Sequence, residues 1–420
     1  MHRLITQLFP ICRSITGDGL RETLNLLRQH IPLDIHDVPT GTAVFDWEVP
    51  REWNVRDAYV RDTQGKKVID FQQSNLHLIS YSIPIHKTMP LAELKEHLFS
   101  LPDRPDWVPY RTAYYSEYWG FCLSHNVLES LADGDYEVCI DTTLESGSLT
   151  YGEYFLGGQL PDEVLVSCHC CHPSLGNDNL SGIALMVFLA QHLATCSLRY
   201  SYRFLFIPGT IGPITWLQCN ERHVDKIKHG LVVACVGDPG KCTYKKSRRG
   251  DAEIDRTVAH VLKHSGQDYD IEDFSPYGYD ERQYCSPGFD LPVGSLTRTP
   301  HGRYPEYHTS ADNLGLVRPE YLADSFERYV AVISTLEHNR KYRNTNPKCE
   351  PQLGKRGLYG AFGGRKDTDQ FELAMLWVLN LSDGKHTLLD IAERAGLAFT
   401  TVATAADALL THGLLVEAPD

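Results

Sequence analysis

Residues 167–181 read Ser-Cys-His-Cys-Cys-His-Pro-Ser-Leu-Gly-Asn-Asp-Asn-Leu-Ser. No other stretch restricts the fold of this chain as tightly. Just before it, Glu163 to Ser167 is a short apolar run of the kind that forms a buried strand. Just after Gly182, the run Ile-Ala-Leu-Met-Val-Phe-Leu-Ala-Gln-His-Leu has the length and composition of a buried helix. Two histidines and an aspartate therefore occupy the turn from a strand's C-terminal end into a helix. In open α/β sheets that crevice is where ligands bind. Imidazole and carboxylate together suit a borderline metal ion such as zinc.

The rest of the chain supports an α/β reading with additions. Leu20 to Ile31 carries apolar residues at helical spacing. From about residue 40, short alternating runs such as Ala58 to Asp62 and His77 to Pro84 are separated by turn residues, which predicts a β-rich insertion. From Tyr136 onward, strands at Glu137–Asp141, Glu163–Ser167, Tyr202–Ile207, Leu231–Asp238 and Leu291–Leu296 alternate with helices, closing on Pro319 to His338. That alternation predicts a doubly wound, mostly parallel sheet. The expected domains are an α/β domain of residues 1–38 and 131–340, an inserted β-rich domain of residues 39–130, a linker of residues 341–370, and a winged helix-turn-helix of residues 371–420.

Charge and cysteine usage narrow the function classes. The 420 residues carry a formal net charge of −14, which disfavours nucleic acid and anionic membranes as partners. The winged-helix segment is more acidic still. From residue 371 it has seven acids against two bases, Lys385 and Arg394, and its presumed recognition helix from Thr400 to Leu410 has no Lys or Arg. A surface that tracks phosphates needs cations, so docking to protein is expected there rather than to DNA. The twelve scattered cysteines and the N-terminus without an apolar signal core predict reduced thiols and a cytoplasmic location. No apolar stretch is long enough to span a membrane.

Several ionisable groups follow the later strands: Asp238, Glu281, the basic run Lys245, Lys246, Arg248 and Arg249, and His308 in Tyr-Pro-Glu-Tyr-His-Thr-Ser-Ala-Asp. A doubly wound sheet brings strand ends to one edge, so His169, Asp178, Asp238, Glu281 and His308 are expected to converge. The basic run would hold a substrate carboxylate or phosphate, or else form a solvated loop. Trp119, Tyr244, Tyr279 and Tyr307 are candidate pocket walls.

Across about residues 136–338 these ordered motifs resemble the zinc aminopeptidases of the bacterial leucyl-aminopeptidase type. The matching residues are His169, Gly176 to Gly182, Ile211-Gly212, Asp238 and His308 to Asp312. The whole arrangement also resembles bacterial aminopeptidase-like proteins with a β insertion and a C-terminal winged helix, which often accompany polysaccharide or secondary-metabolite genes. The resemblance implies zinc held by the His and Asp of these motifs. Two departures stand out. Gly209-Thr210 occupy the place of the family's Glu-Glu pair, whose first member is the general base and whose second is a ligand. Cys171 stands where an orienting Asp would be, and His172 is additional.

The expected metal ligands are His169, His172, Asp178 and His308, with a single zinc favoured over two. A carboxylate must accept the proton of the attacking water, and Glu281 is the candidate, with Asp238 second or as a ligand. The expected activity is hydrolysis of an amide or peptide bond in a small peptide or N-acyl metabolite, with no nucleic acid or membrane partner. The winged helix and the β insertion are the candidate surfaces for a homo-oligomer. The alternatives are an inactive peptidase-like binding or scaffold protein, a transcription factor with a sensor domain, and a structural zinc knot made by His-Cys-Cys-His.

Overall fold

The computed structural model describes residues 1–358 and 368–419. The expected linker, residues 341–370, therefore lies partly outside the described residues. The chain forms two compact units, residues 1–252 with 270–326, and residues 253–269 with 327–420.

The first unit is built on an eight-stranded mixed sheet. From edge to edge it runs Asp34–Pro39, Ser148–Leu156, Ser201–Ile207, Glu163–His169, Ile227–Val233, Val293–Thr297, Cys242–Lys245 and Tyr269–Glu272. The middle four strands are parallel. The flanking pairs with resolved register are antiparallel, so the sheet is parallel only at its centre. All seven residues of Glu163–His169 are buried, as a central strand covered on both faces requires. The helix Gly182–Leu193 is apolar nearly all round and is buried accordingly.

The insertion is a four-stranded sheet in the order Lys67–Asp70, Glu52–Arg61, Asp135–Glu145, Ile85–Pro90. The strand Asp135–Glu145 belongs here and not to the α/β sheet, which moves the expected boundary at residue 130 to about residue 145. Its burial alternates along the strand, the mark of a sheet with one wet face. The insertion packs against the large sheet, with a smaller cluster of its own around Leu76, Ile79, Val108 and Cys122. Trp53, Phe121 and Val138 share one apolar cluster with Leu165, Leu205 and Val232 of the large sheet.

In the second unit, helices Thr368–Leu381, Leu388–Ala395 and Phe399–Thr411 pack with a sheet of order Asp383–Thr387, Lys341–Asn344, Leu415–Glu417. Lys341–Asn344 is thus the middle strand of the winged helix rather than linker. Thr387 and Asp390 form a reciprocal capping box, and Gly396 closes the same helix at φ +67°. Arg256 of helix Glu253–Lys263 pairs with Asp390 at 2.5 Å and with Glu393. One face of Phe399–Thr411, including Phe399, Ala403 and Asp407, lines a cavity of about 340 Å³ with His260, His264 and His338. That face is directed at helices of its own unit.

None of the cysteines among the described residues is in a disulfide. No helix among the described residues is long and apolar enough to cross a membrane.

Candidate metal centre

The four parallel strands end at His169, Ile207, Val233 and Thr297, and the loops that follow them build the site. His169 is the last residue of its strand. Asp178 follows in the turn before Gly182–Leu193 and is fully buried. Its carboxylate draws three imidazoles together. His169 Nε2 lies 2.7 Å from Oδ1, His172 Nδ1 lies 3.2 Å from Oδ2, and His308 Nε2 lies 3.0 Å from Oδ2. The ligand atoms of His169, His172 and Asp178 all fall within 4.8 Å of one another.

Electrostatics keep the acid charged. Burial alone would raise the Asp178 pKa, but His172 and His169 outweigh it and hold the carboxyl well below the usual range. Burial pulls His172 down towards its neutral form, whereas Asp178 overcomes the same penalty at His169 and raises it. Two or three imidazole nitrogens around one buried carboxylate form a donor set that fits zinc, which binds His nitrogen and Asp oxygen in sets of three when a position stays open.

The turn is fixed from several sides. Asp312 Oδ1 accepts from Asn177 N–H at 2.6 Å, and Oδ2 accepts from Asp178 N–H at 3.0 Å. Asn179 Nδ2 donates to the carbonyls of His169 and Val233, tying two strand ends together. Gly182 sits against this lattice. A Cβ there would lie 2.4 Å from Asn179 Oδ1 and 2.7 Å from the Val233 carbonyl. Gly182→Ala is therefore expected to cost about 1–3 kcal/mol through overpacking. It should also lower metal retention, and urea unfolding with elemental analysis of one sample checks both.

Aromatic rings bracket the cluster. Tyr279 stacks on His169 with centroids 5.4 Å apart, and Tyr307 stacks on His308 at 3.9 Å. Tyr110, from the insertion, meets His172 and His308 edge-on at 5.2 and 5.1 Å, and its N–H donates to the His308 carbonyl at 2.7 Å. The other two aromatic candidates lie elsewhere. Trp119 is buried against His97, and Tyr244 is buried beneath Gly294.

Asp238 and Glu281 do not join the cluster. Asp238 is consumed by structure: its carboxylate accepts from Asn177 Nδ2 at 3.0 Å, Gly240 N at 2.8 Å, Thr299 N at 3.2 Å and Thr299 Oγ1 at 2.5 Å. An acid so fully bonded within the protein clamps loops rather than binding a metal or moving a proton. Glu281 is fully buried, and its Oε1 meets Lys245 Nζ at 2.5 Å in an adjoining cavity. The rest of the basic run is paired on the surface, Lys246 with Asp273, and Arg248 and Arg249 with Asp290.

Three residues at the site were not singled out from sequence. Arg13 is fully buried and donates from Nε to the His172 carbonyl at 3.0 Å, with burial pulling its pKa down to about 10. Cys235, just past a strand end at φ +49°, places Sγ 2.8 Å from the Tyr279 hydroxyl. Asp280 accepts from Thr210 N–H at 2.8 Å, while its Oδ2 has no partner among the described residues. Burial lifts the Asp280 pKa to about 6, although the nearby His169 charge opposes that rise.

Gly209 faces the cluster. A Cβ there would stand 3.6 Å from both His169 Cβ and Cys171 Sγ, an ordinary contact with no clash. The missing glutamate pair is thus a change of chemistry at a position that has room for a side chain.

The sheet with its parallel centre has the fold of the zinc aminopeptidases. The zinc aminopeptidase of Bacillus subtilis superposes with a TM-score of 0.58 over 80% of this chain and 93% of its own, at 14% identity. A peptidase M28 precursor from Shewanella amazonensis SB2B gives 0.54 at 11% identity, over 79% of this chain and 91% of that one. At such identities the likeness is one of fold. The chain belongs to the family described as a domain of unknown function, DUF4910, which matches residues 2–339, and residues 340–417 match a winged helix-turn-helix family. A Clostridium acetobutylicum relative is 56% identical over 415 residues, 99% of this chain and 95% of its own. It is provisionally named a polysaccharide biosynthesis protein with an aminopeptidase-like domain. A crystal structure from the same organism, provisionally described as a peptidase, superposes with a TM-score of 0.95 at 55% identity, over 99% of this chain and 95% of that one.

Proposed function

We propose that this protein is a zinc-dependent hydrolase of an amide bond in a small N-acyl metabolite or short peptide. The observation that carries the reading is the convergence of His169, His172 and His308 on the buried Asp178 at the strand ends. These four residues would hold the ion. When bound, zinc supplies Lewis acidity toward water and toward an amide carbonyl. Tyr279 and Tyr307 fix the planes of two of the imidazoles, and Arg13 anchors the backbone of the third.

The proton of the attacking water needs an acceptor, and Asp280 is better placed for that role than Glu281. Its carboxylate reaches the loop where the family's glutamates are missing, and one oxygen is free of protein partners among the described residues. Glu281 is already engaged with Lys245. The name of the Clostridium relative supports a metabolite over a protein as substrate. We also propose that the winged helix does not read nucleic acid, because its segment is acidic and the face of Phe399–Thr411 is turned inward within its unit.

Gly209 favours one second reading, a peptidase-like binding protein without turnover. Zinc-loaded protein offered N-acyl amines and dipeptides decides between the two, with release of free amine as the readout. The hydrolase reading expects release that stops on chelation and returns with zinc. Bound metal without release from any member of the panel supports the binding protein.

A further inference from the structure

The cavity beside the metal centre has a floor that a sheet does not ordinarily offer. Strands Cys242–Lys245 and Val293–Thr297 pair antiparallel, with Thr243 opposite Thr297 and Lys245 opposite Ser295. These four polar side chains line one cavity of about 270 Å³. Thr243, Ser295 and Thr297 are at least 95% buried, at positions where a two-layer fold would ordinarily place apolar core. Tyr277, Tyr279, Glu281 and His301 form walls, and Tyr279 is the same ring that stacks on His169. A group seated here is thus one aromatic ring away from the His–Asp cluster.

The hydrogen-bonding state of the lining selects the ligand. Lys245 Nζ is saturated by Glu281 at 2.5 Å, the Tyr277 carbonyl at 2.9 Å and the Ser275 carbonyl at 3.2 Å. Arg303 is engaged by both oxygens of Glu272. Lys245 has no donor left for an anion, and the Glu272 carboxylate at Arg303 offsets the guanidinium charge that would draw one. A ligand ammonium is opposed as well, because the Lys245 charge already neutralises Glu281 at contact distance. What remains is neutral capacity. Apart from Lys245, no donor among the described residues reaches the Glu281 carboxylate, and the Ser295 hydroxyl has no partner among them. A buried carboxylate accepts at about four lone-pair sites, so Glu281 has several to offer. Ring faces complete the site: Tyr277 is 72% exposed and lies 5.5 Å from His301.

We propose that this cavity seats a neutral sugar ring, whose hydroxyls donate to Glu281 and pair with Ser295 while its C–H face lies on Tyr277. The volume is just under the roughly 300–1,000 Å³ typical of drug-sized pockets, which suits a single monosaccharide. Taken with the hydrolase reading, on which this part rests, the substrate is an N-acyl amino sugar. The ring occupies the cavity and the acyl amide is presented at the metal centre. Water adds its hydroxyl to the acyl carbon, the C–N bond breaks, and the proton passes to the departing amine. The products are a carboxylic acid and an amino sugar.

Calorimetry and saturation-transfer NMR on the full chain test the site, using N-acetylglucosamine, glucose and N-acetyl-L-leucine as probes. Both sugars are expected to bind, with saturation on ring protons. Ser295→Ala and Tyr277→Ala should each weaken sugar binding by about threefold to tenfold, the scale of one neutral hydrogen bond or ring contact. Binding of N-acetyl-L-leucine alone overturns the proposal, and so does sugar binding that survives both substitutions unchanged. Sugar binding without release of amine from N-acetylglucosamine or from any other amide of the panel retains the sugar site and rejects the hydrolase. Amine release from amino-acid amides without sugar binding does the reverse.

Discussion

Asp178→Asn is expected to empty the metal centre, reducing bound zinc by at least about tenfold and abolishing amide hydrolysis. The substitution preserves volume and removes only the charge. In the native protein that charge is what three imidazoles share: His169 on Oδ1, and His172 and His308 on Oδ2. The carboxyl stays ionised despite complete burial because those imidazoles surround it. An amide offers one acceptor oxygen and turns an N–H₂ group toward the remaining rings. The control is Asp238→Asn. Asp238 holds Thr299, Gly240 and Asn177, so this variant should keep its metal and lose about 1–3 kcal/mol of stability instead. Elemental analysis and urea unfolding separate the two effects.

Asp280→Asn should lower kcat by about 10²- to 10⁴-fold with zinc content unchanged. The Thr210 N–H can still donate to the new side-chain oxygen, so the loop stays in place. What disappears is a carboxylate with one free oxygen and a pKa pushed up by burial to about 6. A proton acceptor works only when deprotonated, so the wild-type rate should rise with pH through that region and the variant should lose this limb. Glu281→Gln should act differently. Its carboxylate faces the cavity wall and Lys245, so KM rather than kcat carries the change. Equal losses of kcat in both variants would place Glu281 back among the proton acceptors.

The strand–turn–helix around His169 was legible because three signals coincided: an apolar run, a His–Asp turn and a second apolar run. His308 was legible only through motif resemblance, since 130 residues separate it from Asp178 and periodicity says nothing about such a pairing. Asp238 reads as a site residue for a related reason. An acid just after a strand looks like a ligand, but two residues on, Gly240 turns the chain so that the carboxylate closes on Thr299. Glu281 and Asp280 are adjacent, and sequence alone cannot tell which of them points under the Gly209 loop. The strand at residues 135–145 reads from sequence as part of the α/β sheet but pairs within the insertion, where its alternating burial fits a half-exposed strand. Arg13 carried no signal at all. A lone arginine in an N-terminal helical region reads as surface, and only the fold shows it buried beneath His172.

The most direct test of the account is zinc per chain, measured on wild type purified without chelator beside His308→Ala. One zinc in the wild type, lost in the variant, is the predicted result. No zinc in the wild type, even after incubation with excess metal, would contradict the account.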